Sequence, residues 1–195
     1  TASCQSRTRR VVGGLCRMTR TDLFEALDRT WPPARRIVED GVTVRMGEGG
    51  GKRVSSTYFD HDSAELVPNA LKLISTHGAE PIFQISEGQK KIDTKLADFG
   101  FSITDPTLLL TMSLPKIIAE PPPVTTFSIW PPLQIMRDIW AEGGIGPERV
   151  AVMERVTSEK TSFLGRIDNR AAGAAFVAIH DRTAMLHGLE VAPPY

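Results

Sequence analysis

The stretch "GEGGGKR" (47–53) and four scattered histidines are the first places to look for chemistry in this chain. Gly47 to Gly51 followed by Lys52 approximate a phosphate-binding loop, in which backbone N–H groups cradle an anion and a lysine neutralises it. The spacing is one residue short, and Arg53 stands where that motif needs Ser or Thr. The loop must also open a helix, whereas "RVSSTYF" (53–59) is rich in β-branched and aromatic residues and predicts a strand. With "VTVRM" (42–46) in front, the expectation is a hairpin carrying a long glycine loop. His61, His77, His180 and His187 show no HxxxH or HExxH spacing, so no metal site is expected. Cys4 and Cys16 both lie in the first 17 residues, which leaves the body without thiolate ligands or disulfides and suits a reducing cytoplasm.

The elements that would position such groups follow from periodicity. Helices are predicted over 21–29, 64–78, 86–100, 133–144 and 147–156, where apolar residues recur on one face and Thr21, Ser86 and Pro147 supply start signals. Strands are predicted over 42–46, 53–59, 81–85, 101–104 and 107–114. Three more, "SFLGRI" (162–167), "GAAFVAIH" (173–180) and "AMLHGLEV" (184–191), are joined by turns so short that they must be antiparallel neighbours. The Pro-rich connection 115–126 is stiff and extended and marks a boundary. Trp130-Pro131-Pro132 repeats Trp31-Pro32-Pro33 about half a chain later.

The order of a strand, two helices and a three-stranded meander ending in "LEV" and proline resembles the GNAT family of N-acetyltransferases. The resemblance rests on "GRIDNRAAGAAFVAIHDRTAMLHGLEVAPPY" (165–195) and extends over 127–195. It implies an α+β fold with a mixed sheet and acetyl-CoA as co-substrate. Transfer would go to the amine of a small molecule or peptide. "LADFGFSITDPTLLL" (96–110) also looks like the helix, Gly-Phe and strand that close such domains, which implies a degenerate GNAT-like half in front. The organisation expected is then a non-native or disordered segment 1–17, a GNAT-like α+β region 18–118, and the first half of an acyltransferase domain at 119–195. The phosphate-binding segment of the family would follow Tyr195, so the chain reads as a fragment, itself inactive, with an edge strand prone to homodimerise.

The resemblance places the pantetheine arm against the main chain of Leu189, Glu190 and Val191. It also asks for a base to take the proton of the attacking amine. The family's glutamate position falls near Met185, which cannot serve. His187 and Glu190 are the polar residues left on that strand; strict alternation puts them on opposite faces, and His187, sharing a face with Met185, is the preferred catalytic candidate. Arg166, Asp168 and Arg170 sit at a turn and read as solvated. A balance of 23 basic and 23 acidic residues gives no reason to expect nucleic acid, and no apolar run is long enough for a membrane span. The alternative function is a GNAT-like binding module without catalysis.

Overall fold

The computed structural model describes residues 19–113 and 120–195, so the segment 1–17 with its two cysteines and much of the Pro-rich connection lie outside the described residues. Among the described residues the fold is α+β with two antiparallel sheets, in place of the mixed sheet expected, since every pair of neighbouring strands runs antiparallel. Helix α1 (Arg20–Thr30) begins with a capping box: the Thr19 hydroxyl accepts from the Asp22 N–H, and the Asp22 carboxylate accepts from the Thr19 N–H. Strands β1 (Arg35–Glu39) and β2 (Val42–Met46) form a hairpin across Asp40-Gly41, both at positive φ, as a two-residue turn of this hand requires.

The region after the glycine loop differs from expectation. Residues 53–59 do not form one strand: α2 (Lys52–Ser55) is a single helical turn, and only β3 (Tyr58–Phe59) pairs with β2. Burial explains it. The one-turn helix places Val54 fully inside the larger core. The segment 81–85 makes only a single bridge, Thr57 to Phe83. Helices α3 (Leu66–His77) and α4 (Lys90–Asp98) fall inside the predicted ranges. Val67, Ala70, Leu73, Ile74, Ile92 and Leu96 of these helices close a small core over Val42, Val44 and Phe59.

The strands predicted at 101–104 and 107–114 are also absent: residues 101–113 form no ladder. Apolar residues alone do not make a strand; a ladder needs a partner, and Leu108, Leu110 and Met112 remain exposed.

From residue 126 the chain builds a second sheet in the order β4 (Thr126–Ile129), β5 (Lys160–Ile167), β6 (Arg170–His180), β7 (Thr183–Val191), all neighbours antiparallel. Helices α5 (Gln134–Glu142) and α6 (Pro147–Arg155) lie in the chain between β4 and β5. The Lys160 ammonium closes the end of α6 by donating to the carbonyls of Met153, Glu154 and Val156 at 3.1, 2.7 and 2.6 Å. Met136, Ile139 and Trp140 of α5 and Val150, Val152 and Met153 of α6 pack with Leu164, Ala174, Phe176 and Ala178 of the sheet. Leu27, Trp31 and Val54 join this same core, so the chain before residue 118 contributes to the core of 119–195. The two tryptophans of the repeated Trp-Pro-Pro flank one ring, Phe176, at 6.1 and 5.5 Å between centroids.

Candidate functional site

The last strand is not regular. Phe176 pairs with His187 and Ala174 with Glu190, so two steps along β6 face three along β7. That is a β-bulge at Gly188-Leu189, and Gly188 takes φ +52, which a residue without Cβ adopts at least cost. The Trp140 indole of α5 donates to the Gly188 carbonyl at 2.7 Å and satisfies the group that the bulge takes out of the ladder.

This one extra residue corrects the expected geometry. Alternation across residues 187–190 would separate His187 and Glu190, but the bulge shifts the phase, so both point to the helix-covered face. Leu186, Leu189 and Val191 point to the other face and are exposed. Glu190 lies across the end of α5, and its side chain occupies the space a Cβ would need at Gly143.

The three residues expected to hold pantetheine by main chain are not equivalent. The Ala192 N–H donates to the Ala172 carbonyl at 2.9 Å, which fixes the phase of the ladder. Two residues back, Glu190 turns its backbone groups toward β6, while Val191 turns its N–H and C=O to the outer edge of β7. Leu189 is the bulge residue. Among the described residues no strand pairs with that outer edge.

His187 is 3% exposed and sits in a polar chain. The Thr30 hydroxyl donates to the Ala26 carbonyl at 2.6 Å, so its oxygen is the acceptor for His187 Nε2–H at 2.9 Å. That leaves Nδ1 to accept from Arg53 Nη1 at 3.1 Å. Trp31 stacks on the imidazole with centroids 4.8 Å apart, and the Arg53 guanidinium lies 5.9 Å from the Trp31 ring. Burial, and then the Arg53 charge, push the His187 pKa down to about 3, so the ring is neutral at physiological pH. Arg53 as a whole stays solvent-accessible, but the protein packed around its head lowers its pKa by desolvation first and by the charge of Arg149 second.

Arg53 and Trp31 were not singled out by sequence reasoning as partners of His187. Their separation from it, 134 residues for Arg53, leaves no local signal. A buried ion pair was missed as well: Arg45 of β2 bonds Asp28 of α1 at 2.9 Å and also the Ser56 carbonyl, Ser56 hydroxyl and Gln84. A charged residue inside the β-branched run "VTVRM" was its only visible trace. Among the described residues, no group of three His, Cys, Asp or Glu is placed to hold a metal ion, and no helix is long and apolar enough to cross a membrane. A shallow depression of about 380 Å³ lies on α4, lined by Lys90, Lys91 and Lys95, and includes no residue of β7. No family model, no curated protein and no solved structure matches this chain.

Proposed function

We propose that residues 126–191 form the first half of a GNAT-type acyl-CoA N-acyltransferase domain, with the outer edge of β7 as the template for the pantetheine arm of acetyl-CoA. The observation that carries the reading is the sheet order β4-β5-β6-β7 with both helices inserted between its first two strands. The outward N–H and C=O of Val191 give an extended amide chain something to pair with, as in strand addition at any open sheet edge. The bulge beside it, held by Trp140, makes room where the ladder is already broken.

In this reading His187 is a positioning residue. A base with a pKa near 3 has little driving force to take a proton from an amine at neutral pH, and both ring nitrogens are engaged. The amine acceptor stays a small molecule or peptide, and the base is not assigned to a residue. A second reading, a binding module without catalysis, is favoured by the same burial of His187 and by the turning of Glu190 over Gly143.

The test is an amide-resolved NMR titration of the chain with acetyl-CoA. Shifts concentrated at Leu189 and Val191 are expected. Shifts confined to other elements, or none at millimolar ligand, would reject the template assignment.

A further inference from the structure

A pair of arginines stands against the glycine loop. The Arg149 guanidinium of α6 packs on Gly51: a Cβ there would lie 3.3 Å from its Nε and Nη2. Arg53 is two residues further on, held by the buried His187 and by Trp31. Arg149 thus meets the loop two residues before Arg53, and its charge, after burial, lowers the Arg53 pKa. Among the described residues neither arginine has an ion pair.

Two of the acids nearby have other contacts. Asp105 takes Lys52 at 2.6 Å. The Glu148 side chain lies along Gly49, and its carboxylate is turned toward Gly146. Arg155 adds a third guanidinium at the start of the loop, where its Nη2 donates to the Gly47 carbonyl at 3.4 Å. Like charges brought together without a counter-ion destabilise a fold, and dispersed side chains would avoid the cost. Here Arg53 is tethered by its bond to the 3% exposed His187 at 3.1 Å and lies 5.9 Å from the Trp31 ring.

We propose that Arg53 and Arg149, with the glycine turn at Gly51 between them, bind a phosphate monoester. Two guanidiniums present paired N–H donors that match phosphate oxygens, and a dianion balances both charges where a carboxylate would balance one. His187 orients the site without touching the ligand: its Nε2–H is committed to Thr30, so Nδ1 is held as the acceptor that aims Arg53. The site does not depend on the acyl-CoA reading, since it lies by the helix-covered face of β7 and not on its outer edge.

The experiment uses inorganic phosphate as probe on the whole chain, with acetate and chloride at matched ionic strength, read by calorimetric titration and by thermal melting. Phosphate should raise Tm by about 3–5 °C for each tenfold rise above its Kd, and acetate should do so far less. Arg53→Gln and Arg149→Gln should each weaken phosphate binding at least about tenfold, as loss of a charge-assisted pair predicts. In phosphate-free buffer Arg149→Gln should melt no lower than the parent, because it removes a repulsion. His187→Phe, which cannot accept from Arg53, should also weaken phosphate. Should that variant or Arg53→Gln fail to fold, the half-exposed Arg149 still decides the matter. An equal response to acetate, an Arg149→Gln variant that keeps the phosphate response, or one that melts lower without phosphate would overturn the proposal.

Discussion

At the scale of single residues, the Thr30–His187–Arg53 chain sets the chemistry of the region. Its pH dependence follows from the sign of one shift. His187 has a folded pKa of about 3, below the value near 6.5 expected of an exposed histidine. The unfolded chain therefore binds a proton that the folded chain refuses. The stability associated with neutral His187 is complete above pH 6.5 and is lost as pH falls from there toward 3, at up to about 1.4 kcal/mol per unit. His187→Gln removes this proton-linked part. Urea melts from pH 7.5 to 4.5 should show the parent losing stability more steeply than the variant. Parallel curves would mean that His187 is hydrated in the folded state.

At the scale of elements, the bulge in β7 is the decisive feature. Gly188 meets Met153 Cε at 3.0 Å from where a Cβ would stand, and its φ is positive. Gly188→Ala should therefore cost about 1–3 kcal/mol. Equilibrium unfolding checks this, and a neutral result would show that the bulge relaxes freely. The Asp28–Arg45 pair ties α1 to the small sheet. Asp28→Ala leaves Arg45 charged at 2% side-chain exposure, so it should cost about 3–5 kcal/mol, well above a surface pair. Arg45→Ala tests the link from the other side.

The meander was legible because short turns force antiparallel neighbours, and Asp168, Asn169 and Asp181 take the positive φ that such turns need. The helices other than α2 were legible from their apolar faces. The bulge was not, although a lone glycine inside a strand pattern is its usual mark; strict alternation across Gly188 put Glu190 on the wrong face. The β1–β2 hairpin was missed too, despite its Asp-Gly turn. Residues 101–113 misled in the other direction, since their composition suits a strand but partners are set by the whole fold. The His187 network lay beyond any local pattern, because its members come from α1, α2 and β7.

At the scale of the whole molecule, the larger core joins Leu27, Trp31 and Val54 to residues of 136–178, while the outer face of the second sheet carries exposed Leu186, Leu189 and Val191. The helices α1, α5 and α6 all pack on the opposite face. An apolar row beside an open strand edge favours association. Leu189→Lys should reduce concentration-dependent self-association in light scattering with little change in Tm. A parent that stays monomeric at high concentration would remove the homodimer from consideration.

The proposed function requires the outer edge of β7 to pair with the amide arm of acetyl-CoA. Val191→Pro tests it most directly. Proline removes the outward N–H but no bond of the β6 ladder, so an edge strand tolerates it. Acetyl-CoA affinity is measured by calorimetric titration for both chains, with Tm as the control for folding. The proline variant should bind at least about tenfold more weakly, or by 1.4 kcal/mol, at nearly unchanged Tm. An equal affinity in the folded variant would contradict it.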